Sequence, residues 1–222
     1  MRQYRLAAID LDGTLVDSAP DLAHCLGQAL GSAGLAAPGL AEAKRWIGDG
    51  VEALVRRGLA AGLGAEPPTS TLDSALAAFH ACYRARLFVG SRLFPGVHET
   101  LEDLRASGLV VGCITNKPQA YTGALLEQAG VAGLLDFAFS GDTFDRKKPD
   151  PKPLLCAAGQ YGVDPSAAVM IGDSVNDRDA ARAAGFAFFF AAYGYAAADD
   201  SALNQADAVI ETFSDLKRLL SG

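Results

Sequence analysis

Asp10-Leu11-Asp12-Gly13-Thr14 places two carboxylates, a glycine and a hydroxyl directly after the short apolar run Leu6–Ile9. Three later segments share that character. Val110–Ile114 runs into Thr115-Asn116, Ala168–Ile171 runs into Gly172-Asp173-Ser174 with Asp177 one helical turn on, and Lys147-Lys148-Pro149-Asp150-Pro151 precedes a helix-like stretch. Asp and Gly favour turns, so any one segment alone reads as an ordinary strand end. Together they bring carboxylates, a hydroxyl and a lysine towards one edge of a sheet. A carboxylate is ionised at neutral pH, so it can act as nucleophile or hard oxygen ligand without prior activation, and a lysine among such groups compensates their charge.

The elements that must position these residues follow from periodicity. Leu6–Ile9 reads as a buried strand with Asp10 at its carboxyl end. Residues 20–32, 40–47, 51–62 and 71–88 show helical spacing, as in Leu22/Cys25/Leu26/Ala29/Leu30, and Gly64–Pro68 breaks two of these helices apart. From Phe94 the chain alternates. The expected helices are 97–106, 118–129, 151–161 and 176–184, and the expected strands are 110–115, 137–140, 168–172 and 186–191, with a last strand and helix near 208–220. Such alternation predicts an α/β fold, a doubly wound parallel (Rossmann-like) sheet. The helical block interrupts it after the first strand, predicting a core of residues 1–16 and 94–222 and an inserted all-helical cap of residues 17–93. Ligands bind beyond the carboxyl ends of strands in such sheets, so the insertion is placed as a lid, hinged at Val16–Pro20 and Gly90–Pro95.

Composition narrows the partners. Of 222 residues, 26 are acidic and 19 basic, a net charge of −7, which disfavours nucleic acid and anionic membranes. The N-terminus has no signal-peptide pattern and Gly185–Ala192, the most apolar window, is too short to span a bilayer, so the expectation is a cytoplasmic protein. Cys25, Cys82, Cys113 and Cys156 lie far apart and are expected to be reduced. His24, His80 and His98 form no zinc-like cluster and read as cap or surface residues.

In Asp10-x-Asp12-Gly-Thr, Thr115, Lys148-Pro and Gly-Asp173-x-x-x-Asp177, taken in that order over nearly its whole length, the chain resembles the haloacid dehalogenase superfamily of phosphatases. The resemblance implies that Asp10 is the nucleophile of an aspartyl-phosphate mechanism. Asp12 is implied as the acid that protonates the leaving alkoxide and the base that then activates water; phosphoenzyme-storing relatives carry Thr there. Magnesium is the implied cofactor, held by Asp10, the Asp12 carbonyl and Asp173, with Asp177 behind it; Asp177 equally suits a helix N-terminus. Thr115 and the Asn116 N–H are implied to hold phosphoryl oxygens, Gly13 to serve the same site, and Lys148 to neutralise phosphate and nucleophile. Lys147 is expected to face solvent. An acidic protein handling phosphate must supply its positive charge locally.

The small helical cap marks one branch, which includes phosphoglycolate phosphatases, sugar-phosphate phosphatases, a pyrophosphatase and β-phosphoglucomutase. Four stretches resemble phosphoglycolate phosphatase most: Val16–Leu22, Trp46-Ile47-Gly48-Asp49-Gly50, Thr115-Asn116-Lys117-Pro118 and Tyr193-Gly194-Tyr195. The expected substrate is a small phosphorylated metabolite, 2-phosphoglycolate. Its carboxylate is assigned to Gly48, Gly50 and the helix start near Val51, with charge added by Arg56 or Arg57 and Asp49 capping its own helix. A plain helix–helix turn explains the same residues. A non-catalytic binding protein on the same fold is the alternative of a different class, and monomer and homodimer both stay open.

Overall fold

The computed structural model describes residues 4–195 and 205–220; the extreme ends of the segments 1–16 and 94–222, and residues 196–204, lie outside them. Six parallel strands form the central sheet: β1 (Leu6–Ile9), β4 (Val110–Ile114), β5 (Phe137–Phe139), β6 (Ala168–Gly172), β7 (Ala187–Ala191) and β8 (Ala208–Ile210). Their spatial order is β5-β4-β1-β6-β7-β8. β1 is buried on both faces, which is why it reads as an unbroken apolar run. Leu6 and Ala8 pack with Met170 and Phe188 on one side, while Ala7 and Ile9 pack with Val111 and Ile171 on the other. The chain winds outward from β1 to β5 and then returns to β6 on the opposite side. That reversal opens a crevice at the carboxyl ends around β1, where ligands bind in this class of sheet.

Helices cover both faces: α5 (Val97–Ala106), α6 (Gln119–Gln128), α7 (Lys152–Tyr161), α8 (Val175–Ala184) and α9 (Asp215–Leu220). The inserted cap contains α1 (Ala19–Gly31), α2 (Leu40–Trp46), α3 (Val51–Leu63) and α4 (Thr69–Ala85). Its apolar faces meet in Leu26, Val55, Leu59, Phe79 and Tyr83, continuous with the apolar cluster on one face of the sheet. The core is therefore a parallel α/β sheet with an all-helical cap set above its carboxyl edge. Among the described residues no helix is long and apolar enough to cross a membrane.

Two expectations need correction. Cys25 and Cys82 are joined in a disulfide, with Cα atoms 5.5 Å apart, while Cys113 and Cys156 are free. The 57-residue separation hid a pair that the side-by-side packing of α1 and α4 brings together. The segments bounding the cap, expected to carry no strand, also hold a short ribbon. β2 (Val16–Asp17) and β3 (Arg92–Leu93) pair antiparallel, and strands of two residues are too short to show a period in sequence.

Asp21 locks this ribbon to the cap. Its fully buried carboxylate accepts from Gly90 N (2.9 and 2.8 Å), Ser91 N (2.7 Å) and Ser91 Oγ (2.7 Å), and lies 3.2 Å from Arg86 Nε. These contacts turn the chain after α4, which ends at Ala85 and not at the expected residue 88. Removing the carboxylate leaves buried N–H groups and a cation uncompensated. Asp21→Ala should therefore lower unfolding stability by about 3 kcal/mol, read from the urea midpoint. A change below about 0.5 kcal/mol, the level of an ordinary surface substitution, would show that the ribbon does not depend on it.

Candidate active site

Asp10 leaves the end of the central strand with its N–H bonded to Ile171 O at 2.9 Å. Thr115 follows β4 and Asp173 follows β6, so the parallel register sets these residues on one rim. Lys148 arrives from the loop between β5 and α7. Its buried ammonium donates to Asp10 Oδ1 (2.8 Å), Asp177 Oδ1 (2.6 Å) and Ile114 O (2.5 Å), which matches its three donors with three acceptors. Burial alone would lower the Lys148 pKa, but Asp10 and Asp177 outweigh it and hold the group above its ordinary value.

Asp177 is tied at both oxygens. Oδ1 faces Lys148, while Oδ2 accepts from Ser174 N (3.1 Å) and Ser174 Oγ (2.6 Å) in a capping box that starts α8. Asp177 thus caps the helix through one oxygen and holds Lys148 through the other. Asp173 Oδ2 accepts from Tyr195 N at 2.6 Å. Gly13 makes room for it: φ is +92°, and a Cβ there would sit 2.3 Å from Asp173 Oδ2.

Three carboxylates with one lysine leave excess negative charge. Burial, then the charge of Asp177, pushes Asp10 up to about 7 against the pull of Lys148. Burial, Asp10 and Asp177 push Asp173 well above the usual carboxylate range. Asp10, Asp173 and Asp177 each bring one oxygen to within 4.8 Å of the others. A buried, hard, all-oxygen donor set with uncompensated charge fits a divalent cation such as magnesium.

Above this rim lies a small cleft. Asp10, Asp12, Thr115, Asn116 and Lys117 line it from the sheet; Leu22, Ile47, Gly48, Gly50, Val51 and Leu54 line it from the cap. The cap loop is latched to the core. Asn116 Nδ2 bridges Gly48 O (3.0 Å) and Lys148 O (2.9 Å), Asn176 Nδ2 donates to Asp49 Oδ1 (2.6 Å), and Lys147 Nζ donates to Asp49 O (2.7 Å). Gly50, at φ +93°, approaches so closely that a Cβ would lie 3.2 Å from Asn116 O.

The structure thus gathers Asp10, Asp12, Thr115, Asn116, Gly48 and Gly50 around one cleft, over Asp173, Asp177, Lys148 and Gly13. It corrects the surrounding charges. Asp49 does not cap α3; it accepts from Arg57 and Asn176, which overcome the effect of burial and hold its carboxyl below the ordinary range. Arg57 also donates to Trp46 O, and Arg56 pairs with Glu52 and Glu66, so neither arginine lines the cleft. Lys147 is exposed, yet its ammonium holds the cap loop instead of pointing to bulk solvent.

Sequence reasoning missed Lys117 as a site residue. It is buried, with Nζ 2.9 and 3.0 Å from the two Asp12 oxygens and 4.9 Å above the Tyr83 ring. Burial would depress its pKa, but Asp12 and Tyr83 outweigh that and raise it. Its place two residues beyond the β4 rim residue Thr115 was the available signal. Ser18 Oγ also donates to Asp12, and the Tyr195 hydroxyl accepts from Ala19 N at 2.9 Å, linking the hinge to the loop that holds Asp173.

The sequence profile of the haloacid dehalogenase-like hydrolases matches residues 4–185, and the chain belongs to that family. Among its relatives it is similar to a phosphoglycolate phosphatase of Nitrosococcus oceani, 41% identical over 100% of this chain and 98% of the relative. One from Nitrosospira multiformis is 40% identical over 96% and 93%. The crystal structure of a predicted phosphoglycolate phosphatase from Haemophilus somnus superposes with a TM-score of 0.92 at 32% identity, covering 99% of both chains.

The raised Asp10 carboxyl has a consequence for stability. Below its ordinary value of 3.8 the group is protonated folded or unfolded; between there and about 7 only the folded state keeps the proton. Stability from this group is therefore full at low pH and falls as pH rises through about 7. In chelator at pH 8, Asp10→Asn, which keeps an acceptor for Lys148, should melt roughly 5 °C above the wild type, on a scale of about 2–4 °C per kcal/mol. Thermal melts across pH 4–8 check this; equal melting at pH 8 would contradict the burial of an uncompensated charge.

Proposed function

We propose that the protein is a magnesium-dependent phosphate monoester hydrolase acting through an aspartyl phosphate on Asp10, with 2-phosphoglycolate as its substrate. The observation that carries the chemistry is the Lys148 ammonium held between Asp10 and Asp177 at the carboxyl edge of the sheet, with Asp173 beside them. The names of the relatives and the small cleft support the substrate.

Asp10 attacks phosphorus through a carboxylate oxygen, and the bond from phosphorus to the leaving oxygen breaks. Asp12 delivers a proton to that oxygen, then takes one from the water that attacks the aspartyl phosphate and frees Asp10 and inorganic phosphate. Asp12 accepts from Lys117 on both oxygens, so acting as donor requires Lys117 to release one of them. Thr115 and the Asn116 N–H hold phosphoryl oxygens, and Lys148 keeps nucleophile and phosphate together. Asp10, the Asp12 carbonyl and Asp173 would hold magnesium, with Asp177 supporting from behind; when bound, the ion offsets phosphoryl charge. Residues 17–93 form a cap that moves on the β2–β3 ribbon; in its closed position Gly48 and Gly50 bound the leaving-group space.

Phosphate release should be greatest for 2-phosphoglycolate in a panel with sugar phosphates, nucleotides and pyrophosphate. Asp10→Asn should lose turnover by roughly a thousandfold or more, and Asp12→Asn should accumulate phosphoenzyme visible by mass spectrometry. Near-normal rates in either variant would refute the covalent route. A hexose phosphate or pyrophosphate as best substrate would refute the substrate alone. A bulky residue at Gly50 would press on Asn116 O. Gly50→Val should therefore raise KM for 2-phosphoglycolate and p-nitrophenyl phosphate alike, by displacing Asn116 from the phosphoryl group they share; an unchanged KM for both would show that the loop does not bound the site.

A further inference from the structure

A carboxylate on the leaving group calls for a cation beside the nucleophile, and among the described residues the cleft offers a single one. Arg56 and Arg57 are absent from its lining and already paired, Arg56 with Glu52 and Glu66 and Arg57 with Asp49. Lys148 lies below the cleft, bound to Asp10 and Asp177. The Gly48 and Asp49 carbonyls are taken up by Asn116 and Lys147, and Ile47, Val51 and Leu54 add an apolar wall. Of the described residues that line the cleft, Lys117 alone carries a positive charge.

We propose that Lys117 is a specificity-determining residue that pairs with a carboxylate one carbon away from the phosphate-bearing oxygen, so that the enzyme selects phosphate esters of small 2-hydroxy acids. This rests on the phosphatase reading above. Nζ lies 2.9 Å from Asp12 Oδ1. With Asp12 in hydrogen-bond contact with the bridging oxygen, the ammonium comes within about 6 Å of that oxygen. A carboxylate attached to the next carbon spans that interval; a methyl group in its place offers nothing to pair with. The ammonium is built into position. The Lys117 N–H bonds Thr115 Oγ1 (3.1 Å), its carbonyl accepts from Gly141 N (2.9 Å), and the Tyr83 ring faces the charge. Low exposure strengthens a charge pair made there and makes a mismatched neutral ligand unfavourable. An incoming carboxylate takes up one of the donors now shared by the two Asp12 oxygens, the release that proton delivery by Asp12 requires.

The alternative is that Lys117 only positions Asp12, in which case its loss affects every ester alike. The test compares 2-phosphoglycolate with ethyl phosphate, the same skeleton with methyl for carboxylate, in the magnesium-loaded wild type and Lys117→Met. Inhibition constants for 3-phosphonopropanoate and propylphosphonate, measured against p-nitrophenyl phosphate, report binding separately from turnover. Wild type should prefer the carboxylate member of each pair by about a hundredfold, and Lys117→Met should reduce both preferences at least about tenfold. Each preference is a ratio within one preparation, so partial loss of folded protein cancels, and Lys117→Gln should repeat the result. Unchanged preferences in the variants would overturn the proposal. Equal use of the two esters by the wild type would overturn it while leaving the phosphatase reading intact. No hydrolysis of any ester would defeat that reading first.

Discussion

A buried ammonium between two buried carboxylates organises this molecule. Asp10, Asp173 and Asp177 converge at the rim of a parallel sheet, where burial and neighbouring carboxylates hold Asp10 and Asp173 above the usual carboxylate range. Lys148 makes the arrangement possible by donating to Asp10, Asp177 and the Ile114 carbonyl at once. Removing one member of such a set leaves an unpaired charge in a medium that cannot solvate it. The strand order, the return crossover that carries Lys148 back to β1, and the capping box that aims Asp177 all serve this point. The remaining imbalance of charge makes the site receptive to a cation.

A second ammonium repeats the motif one layer higher. Lys117 pairs with Asp12 as Lys148 pairs with Asp10, but it lines the cleft instead of lying beneath it. The globally acidic chain thus places its positive charge locally, in two lysines matched to two carboxylates. The lower pair lies beneath the cleft and the upper pair lines it.

The cap is held by unequal means. Asp21 and the β2–β3 ribbon join it to the core through buried bonds, whereas Asn116, Asn176 and Lys147 touch only the Gly48-Asp49 turn. Helix α4 adds further contacts with the core: His80 Nδ1 and the Tyr121 hydroxyl lie 2.5 Å apart, and the Tyr83 ring packs edge-on against Tyr121 and faces Lys117. The Cys25–Cys82 bridge joins α1 to α4 inside the cap.

Much of this was legible in the residues. Apolar runs ending in Asp10, Thr115 and Asp173 are local patterns, because a strand buried on both faces must be apolar and must stop where polar groups begin. The helical spacing of residues 20–62 and the alternation after Phe94 are equally local, so the sheet, the insertion and the rim residues follow from the sequence by itself. What it did not contain are the partnerships between distant segments. Cys25 with Cys82, Asp21 with Gly90 and Ser91, Asp49 with Asn176 and Lys147, and Lys117 with Asp12 each join residues with no shared periodicity. The direction of a charged side chain depends on which opposite charge the packed elements bring within reach. For that reason the sequence placed Asp10 at the rim, while only the tertiary structure decided that Lys117, and neither Arg56 nor Arg57, lines the cleft.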